Sequence, residues 1–199
     1  ENSKSNNVEY RVSFDDNFKI AACVMPTVLP TITKKSVMEF LSFHKLIGIT
    51  EFHIYDNSLP ASIIEKITLL PSEITGFTVN ILPFNFPFSS EDSYQLMRDL
   101  AEWDCTFRNL NRNRKFEENN VHSKERISHI VHLSWDEFIV PRYHYLLKPF
   151  LSQYEVGKDN IKLQLPTLHF CLNQKDDPKV GSDYPTIIKK THYDKTVNS

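Results

Sequence analysis

Glycine is scarce in this sequence, with four in 199 residues, and none of them falls in a GxGxxG or GxxxxGK[ST] pattern. A dehydrogenase or P-loop reading therefore has no phosphate-cradling loop to stand on. Long apolar runs are also missing. No stretch approaches the roughly 18 residues that a bilayer crossing needs. The polar start ENSKSNNVEY has none of the parts of a signal peptide, so the sequence as written reads as a soluble domain. Nor is there an excess of either charge: 23 Lys and Arg stand against 25 Asp and Glu, for a net charge of -2. That balance gives no broad attraction to nucleic acid or to anionic lipid, so any ligand must be held by a local site.

Cysteine is sparse and scattered. Cys23, Cys105 and Cys171 show no CxxC spacing, and no HExxH pair occurs, so zinc has no signature here. Cys23 lies in an apolar run and is expected to be a small buried hydrophobe, while Cys105 and Cys171 form the candidate pair for an oxidising lumen. His53, His129 and His132 alternate with apolar residues on expected strands, and His169 sits in the strand-like LHF. These histidines read mostly as structural.

What the sequence does have is periodicity. At 40% hydrophobic and 24% charged residues it has the makeup of one globular domain over 1–199. Phe18 to Val28 is a short apolar run ended by prolines, which suits a strand buried on both faces. Ser36 and Glu39 have capping-box spacing, and Val37, Phe40, Leu41 and Leu46 follow in helical rhythm up to Gly48. Ile49 to Tyr55 is the second strand, ending in the turn residues DNSLP; Ser58 and Pro60 open a helix through Ile67, and Gly76 to Leu82 is the third strand. After the irregular PFNFPF, Ser89, Glu91 and Asp92 start a helix whose stripe of Leu96, Leu100, Trp103 and Phe107 is expected to face the core. The polar stretch from Asn109 to Asn120 reads as a solvated loop, and Ile127 to Leu133 as a fourth strand running into SWDEFIVP. Strands and helices thus alternate, which predicts an α/β fold with a mainly parallel sheet and helices on both faces.

In such a sheet, ligands bind beyond the carboxyl ends of the strands. Two polar clusters follow strands here: Asp56, Asn57 and Ser58, and then Ser134, Asp136 and Glu137. Each has two readings. Asp56 can accept a hydrogen bond from a nucleoside, or simply make a tight turn. Asp136 and Glu137 are hard oxygen donors suited to Mg²⁺ or Mn²⁺ against a diphosphate, or else a turn cap and a surface ion pair. Asp56 and Asp136 are expected on the same rim.

Three ordered stretches carry a resemblance. SVMEFLSFHKLIGITEFHIYDNS, AEWDCTFRN and SHIVHLSWDEFIVP resemble, in order and spacing, segments of glycosyltransferase family 92, the last resembling its DxDEFIvP signature in all but the first Asp; the likeness covers roughly Phe18 to Tyr154, with 155–199 as a partial C-terminal part. The resemblance implies a GT-A-like, Rossmann-type fold, shortened at its C-terminus relative to the family domain. It also implies metal-dependent inverting transfer of galactose from UDP-galactose to a glycan acceptor. The setting would be the lumen of the Golgi or another secretory membrane, with an anchor outside this segment. By the same likeness, Asp56 would lie near the uridine and Asp136 would ligate Mn²⁺ or Mg²⁺; Asn57 and Ser134 are expected to join Asp56 in binding the nucleotide-sugar, the Ser134 hydroxyl through a ribose or a metal-bound water.

Ser134 stands where the family has its first Asp. A hydroxyl brings no charge to a cation site, so metal affinity is expected to fall. This substitution keeps a second reading open, a catalytically silent member that binds glycan or nucleotide. No catalytic base is assignable: Asp176 and Asp177 read as a charged turn before Pro178.

Overall fold

The computed structural model describes residues 19–26, 32–57, 59–70, 76–84, 91–118, 126–141, 143–154, 163–167, 175–181 and 189. Strand β1 (Lys19–Val24) leads to helix α1 (Lys34–Leu46), then β2 (Glu51–Asp56), α2 (Ala61–Thr68) and β3 (Thr78–Pro83). The long helix α3 (Glu91–Glu118) follows, then β4 (Ile127–Leu133) and the short α4 (Leu147–Leu151), which runs into a 3-10 turn at Ser152–Tyr154. The strands form one sheet in the order β3-β2-β1-β4. Every pairing is parallel: Val24 is opposite both Ile54 and Leu133, and Ile54 is opposite Ile81.

Alternation along the strands sends two kinds of side chain to the two faces. Ile20, Ala22, Val24, Phe52, Ile54 and Leu133 point into the larger core, which α1 closes with Val37, Phe40 and Leu41, α2 with Ile63 and Ile67, and α4 with Leu147 and Leu151. Phe40 is its hub, fully buried against Phe52, Trp135 and Phe138 at centroid distances of 6.4, 5.1 and 5.8 Å. Truncating such a side chain to Ala typically costs about 3–5 kcal/mol.

The other face is smaller and more polar. One row across it reads Asn80, His53, Cys23 and His132 by strand register, and α3 covers it with Met97, Ala101, Cys105 and Asn109, all buried. Helix α3 runs antiparallel to the strands. Asn57, just past the end of β2, donates to Met97 Sδ at 3.5 Å, while Arg112 near the other end of the helix pairs with Glu51 at the start of β2. Asn113 completes the anchoring by exchanging hydrogen bonds with the backbone of Ile127, at 2.6 and 3.1 Å.

Several expectations need correction. Cys23 is not a lone hydrophobe: it is bonded to Cys105, 82 positions away in sequence, with Cα atoms 6.3 Å apart. The partner expected for Cys105, Cys171, lies outside the described residues, as do Ser58, Ser89 and His169. The N-cap of α1 is Thr33, with Ser36 as its reciprocal partner, so the capping box sits three residues earlier than the Ser36–Glu39 spacing suggests. Glu39 instead faces Lys35 one turn away, at 3.7 Å. The stretch from 109 to 118 is helix, because its Asn and Arg side chains have partners on the sheet.

The stripe expected in the core faces outward. Leu96, Leu100, Trp103 and Phe107 are 51%, 45%, 62% and 53% exposed. The sheet face beneath α3 carries Glu51, His53 and His132, and small or polar helix residues approach it where bulky ones could not pair its polar groups.

At the end of α1 a glycine is required. Gly48 has φ 108°, and the hydrogen bonds Gly48 N to Lys45 O and Ile49 N to His44 O, both 3.0 Å, close the helix in the left-handed manner.

Candidate active site

Parallel pairing places the ends of β1, β2, β3 and β4 on one rim, and both polar clusters follow strands that end there. Asp56 closes β2 and the Ser134–Glu137 turn begins directly after β4, with β1 between them. Two interstrand spacings, ~9.6 Å, separate the strands that carry them. The expected common rim is what the topology gives.

At the first cluster, Asp56 Oδ1 accepts from Leu59 N at 2.7 Å, and its carbonyl accepts from Phe84 N at 2.9 Å. The turn use of Asp56 is therefore real, and it fixes one carboxylate oxygen. Asn57 is half-buried beside Met97.

The second cluster is a β-turn held from both sides. Glu137 N donates to Ser134 O at 3.0 Å, and Glu137 Oε2 accepts from Ser134 N at 2.7 Å. Ser134 is buried, Trp135 is sunk in the core against Phe40, and Phe138 packs on Phe40, Phe43 and His44. Asp136, at the corner between these anchors, is exposed. Aromatic anchors in the core thus present one carboxylate to solvent at the rim. Glu137, the second oxygen donor expected of this cluster, is engaged in shaping the turn.

A chain of charges connects this turn to α3. Arg98 Nη2 lies 3.7 Å from Glu137 Oε2, and Arg98 Nε 3.5 Å from Glu102 Oε1. Glu102 Oε2 is 3.8 Å from His132 Nδ1, and Thr106 Oγ1 is 3.4 Å from His132 Nε2. Partial burial works against the Arg98 charge, but Glu137 and Glu102 outweigh it and raise its pKa further. Deeper on the same face, Tyr55 donates to Asp104 at 2.7 Å; burial, then that carboxylate, pushes the phenol pKa up, so Tyr55 stays protonated. At the opposite end of the sheet, desolvation would raise Glu51, but His53 at 3.2 Å and Arg112 hold its carboxyl below the usual range. That cluster is far from the rim and serves to fasten α3.

Asp177 is the charged turn it resembled: its carboxylate accepts from Lys179 N at 2.9 Å and its carbonyl from Val180 N at 3.0 Å.

The model of glycosyltransferase family 92 matches residues 18–198. The chain belongs to that family. Its four-stranded all-parallel sheet, flanked by helices, agrees with a GT-A-like fold. No curated protein and no solved structure gives a significant match. The family assignment makes the chain a glycosyltransferase domain, for which a nucleotide-sugar donor and a glycan acceptor are the general partners.

The cation expected at the Ser134–Glu137 turn can be weighed against the donors present there. Hard oxygens at Asp136 and Ser134 suit Mg²⁺ or Mn²⁺ in kind. In number they fall short, since no group of three or more His, Cys, Asp or Glu is arranged for a metal among the described residues. A cation there would need ligand oxygens to complete its shell. Sequence reasoning missed Arg98 and the double use of Glu137. The only local hint of Arg98 is its spacing of four from Glu102; its contact with Glu137 spans 39 positions and leaves no pattern in the chain.

Proposed function

We propose that this chain binds a UDP-sugar at the carboxyl rim of its sheet and serves metal-dependent, inverting transfer of galactose to a glycan acceptor. The observation that carries this reading is the turn at Ser134–Glu137, which holds Asp136 exposed on the same rim as Asp56 and Asn57 in a family 92 domain. Asp56 and Asn57 would orient the uridine, Ser134 would reach the ribose or a metal-bound water, and Asp136 would hold Mn²⁺ or Mg²⁺ together with the diphosphate. A cation so held supplies Lewis-acid stabilisation to the charge that develops on the leaving UDP. The chain's own task is to keep the rim shaped: Glu137 fixes the turn, and Arg98 fixes Glu137 from α3.

The Cys23–Cys105 disulfide supports placing the domain in an oxidising lumen, as the Golgi or another secretory compartment provides, with a membrane anchor outside this segment. No helix among the described residues is long and apolar enough to cross a membrane.

Ser134 supports a second reading, a silent member that binds nucleotide or glycan without turnover. Ligand-observed NMR separates the two: the enzyme reading expects saturation transfer from protein to the uracil and ribose protons of UDP, and in UDP-galactose with acceptor the growth of an anomeric signal of inverted configuration. Binding without product favours the silent reading. No transfer to UDP under any condition contradicts the enzyme reading and leaves only glycan binding to the silent one.

A further inference from the structure

Helix α3 is fastened to the sheet at three points, each seven residues from the next. Arg112 pairs with Glu51 at the start of β2, Cys105 is bonded to Cys23 in β1, and Arg98 lies 3.7 Å from Glu137 in the turn after β4. Seven residues are almost two full turns, so Arg98, Cys105 and Arg112 share one side of the helix at intervals of ~10.5 Å. The middle fastening is covalent and fully buried. At the same level, Tyr55 adds its hydrogen bond to Asp104.

The near end of the helix serves the rim on two sides. Met97 takes the Asn57 amide at 3.5 Å and its neighbour Arg98 meets Glu137, so one turn of α3 touches both polar clusters. Both contacts are too weak to hold a helix end, one being a part-exposed ion pair and the other a hydrogen bond to a thioether. Between them and Cys105, the residue on the sheet is Ala101, whose methyl gives little grip. For a helix held at Arg112, a tilt of ~3° over the ~21 Å to Arg98 carries that residue ~1 Å. That is enough to part a contact that stands at 3.7 Å.

We propose that the Cys23–Cys105 disulfide is a positioning element of the rim: through Arg98 it sets the pose of Glu137, and with it the turn that carries Asp136. Without the bond, the far half of α3 stays on the sheet through Arg112 and Asn113, while the near half swings and Glu137 loses Arg98. The effect on the turn is independent of any ligand. Its consequence for UDP rests on the function proposed above.

Tryptophan emission can read the turn directly. The sequence has two tryptophans, Trp103, exposed on α3, and Trp135, 6% exposed within the turn. In a Trp103→Phe background all of the emission comes from Trp135. Acrylamide quenching is expected to rise about twofold in Cys105→Ala and equally in Cys23→Ala, with unchanged far-ultraviolet circular dichroism. Arg98→Met, with the disulfide intact, is expected to give the same rise, and Cys105→Ala added to it no further one, because both act through one contact. Ile63→Ala, which opens a cavity in the core on the other face of the sheet, should cost comparable stability without the rise. UDP Kd should increase about threefold in the cysteine variants and in Arg98→Met. Quenching that stays at the parent level in both cysteine variants overturns the proposal. So do a rise of equal size in Ile63→Ala, additive effects of Cys105→Ala and Arg98→Met, or global unfolding of the cysteine variants. A parent that binds no UDP counts against the proposed reaction, and the quenching still decides the role of the disulfide.

Discussion

Glu137 and Ser134 hold each other across a single turn: Glu137 Oε2 accepts from Ser134 N at 2.7 Å while Glu137 N donates to Ser134 O at 3.0 Å. The acidic residue that looks most like a second metal ligand in SWDEFIVP is thereby occupied in shaping the loop that carries the first. Arg98 stands 3.7 Å from the same oxygen, so α3 sets the pose of the turn from across the sheet edge.

Glu137→Ala should therefore act on the site more than on the fold. The lost hydrogen bond is worth about 1 kcal/mol. The partly exposed ion pair with Arg98 adds little after screening. A fall of about 2–4 °C in melting temperature is expected in scanning calorimetry. UDP affinity should fall more than this small loss of stability implies. Arg98→Met should show the same pattern more weakly, and an unchanged UDP affinity in both variants would remove the positioning role.

His44 should give the protein an acid-sensitive stability. Its ring is fully buried, Nδ1 is 2.9 Å from Phe40 O, and it stacks on Phe138 at 5.5 Å. Burial lowers its pKa from 6.5 to about 4, despite the backbone hydrogen bond, which raises it. The native state therefore keeps His44 neutral where the unfolded chain takes up a proton. The stability from this group is complete above pH 6.5 and declines as pH falls toward 4, by about 3 kcal/mol in all. Urea melts between pH 7 and 5 should show the slope in the parent and its loss in His44→Phe. Glu51, whose pKa is lowered, adds its own loss below the ordinary carboxylate range, and so falls outside that window.

Much of the sheet was legible because its strands are short, apolar and bounded by turn residues, and because Gly48 marks the end of α1. The rim followed from the parallel order alone. What could not be read are choices made between distant residues. Leu96, Leu100, Trp103 and Phe107 form the stronger apolar stripe, yet the sheet face waiting for α3 holds Cys23, His53 and His132, which accept Ala101, Cys105 and Asn109 instead. The polar run after Asn109 looked like loop because the partners that make it helix, Glu51 and the Ile127 backbone, are 61 and 14 positions away. Cys23 gave no local sign of its bond to Cys105.

That bond should contribute strongly to stability. Closing a loop between cysteines 82 positions apart removes roughly 4–5 kcal/mol of chain entropy from the unfolded state. Cys105→Ala is expected to lower the urea midpoint by a corresponding amount, and dithiothreitol should reproduce the loss in the parent. Mass spectrometry of non-reduced peptides should find Cys23 joined to Cys105. A Cys23 that alkylates freely in the folded protein would contradict the staple.

The most direct test of the rim site is calorimetry of UDP binding with and without Mn²⁺ on the parent, Asp136→Ala and Ser134→Asp. One carboxylate leaves a cation undercompensated until diphosphate joins it, so metal and nucleotide should bind cooperatively, with a gain of about fivefold in the parent. Ser134→Asp should enlarge that gain, and Asp136→Ala should abolish it. If Asp136→Ala retains the full Mn²⁺ effect, Asp136 is a turn residue and the proposed cation site is wrong.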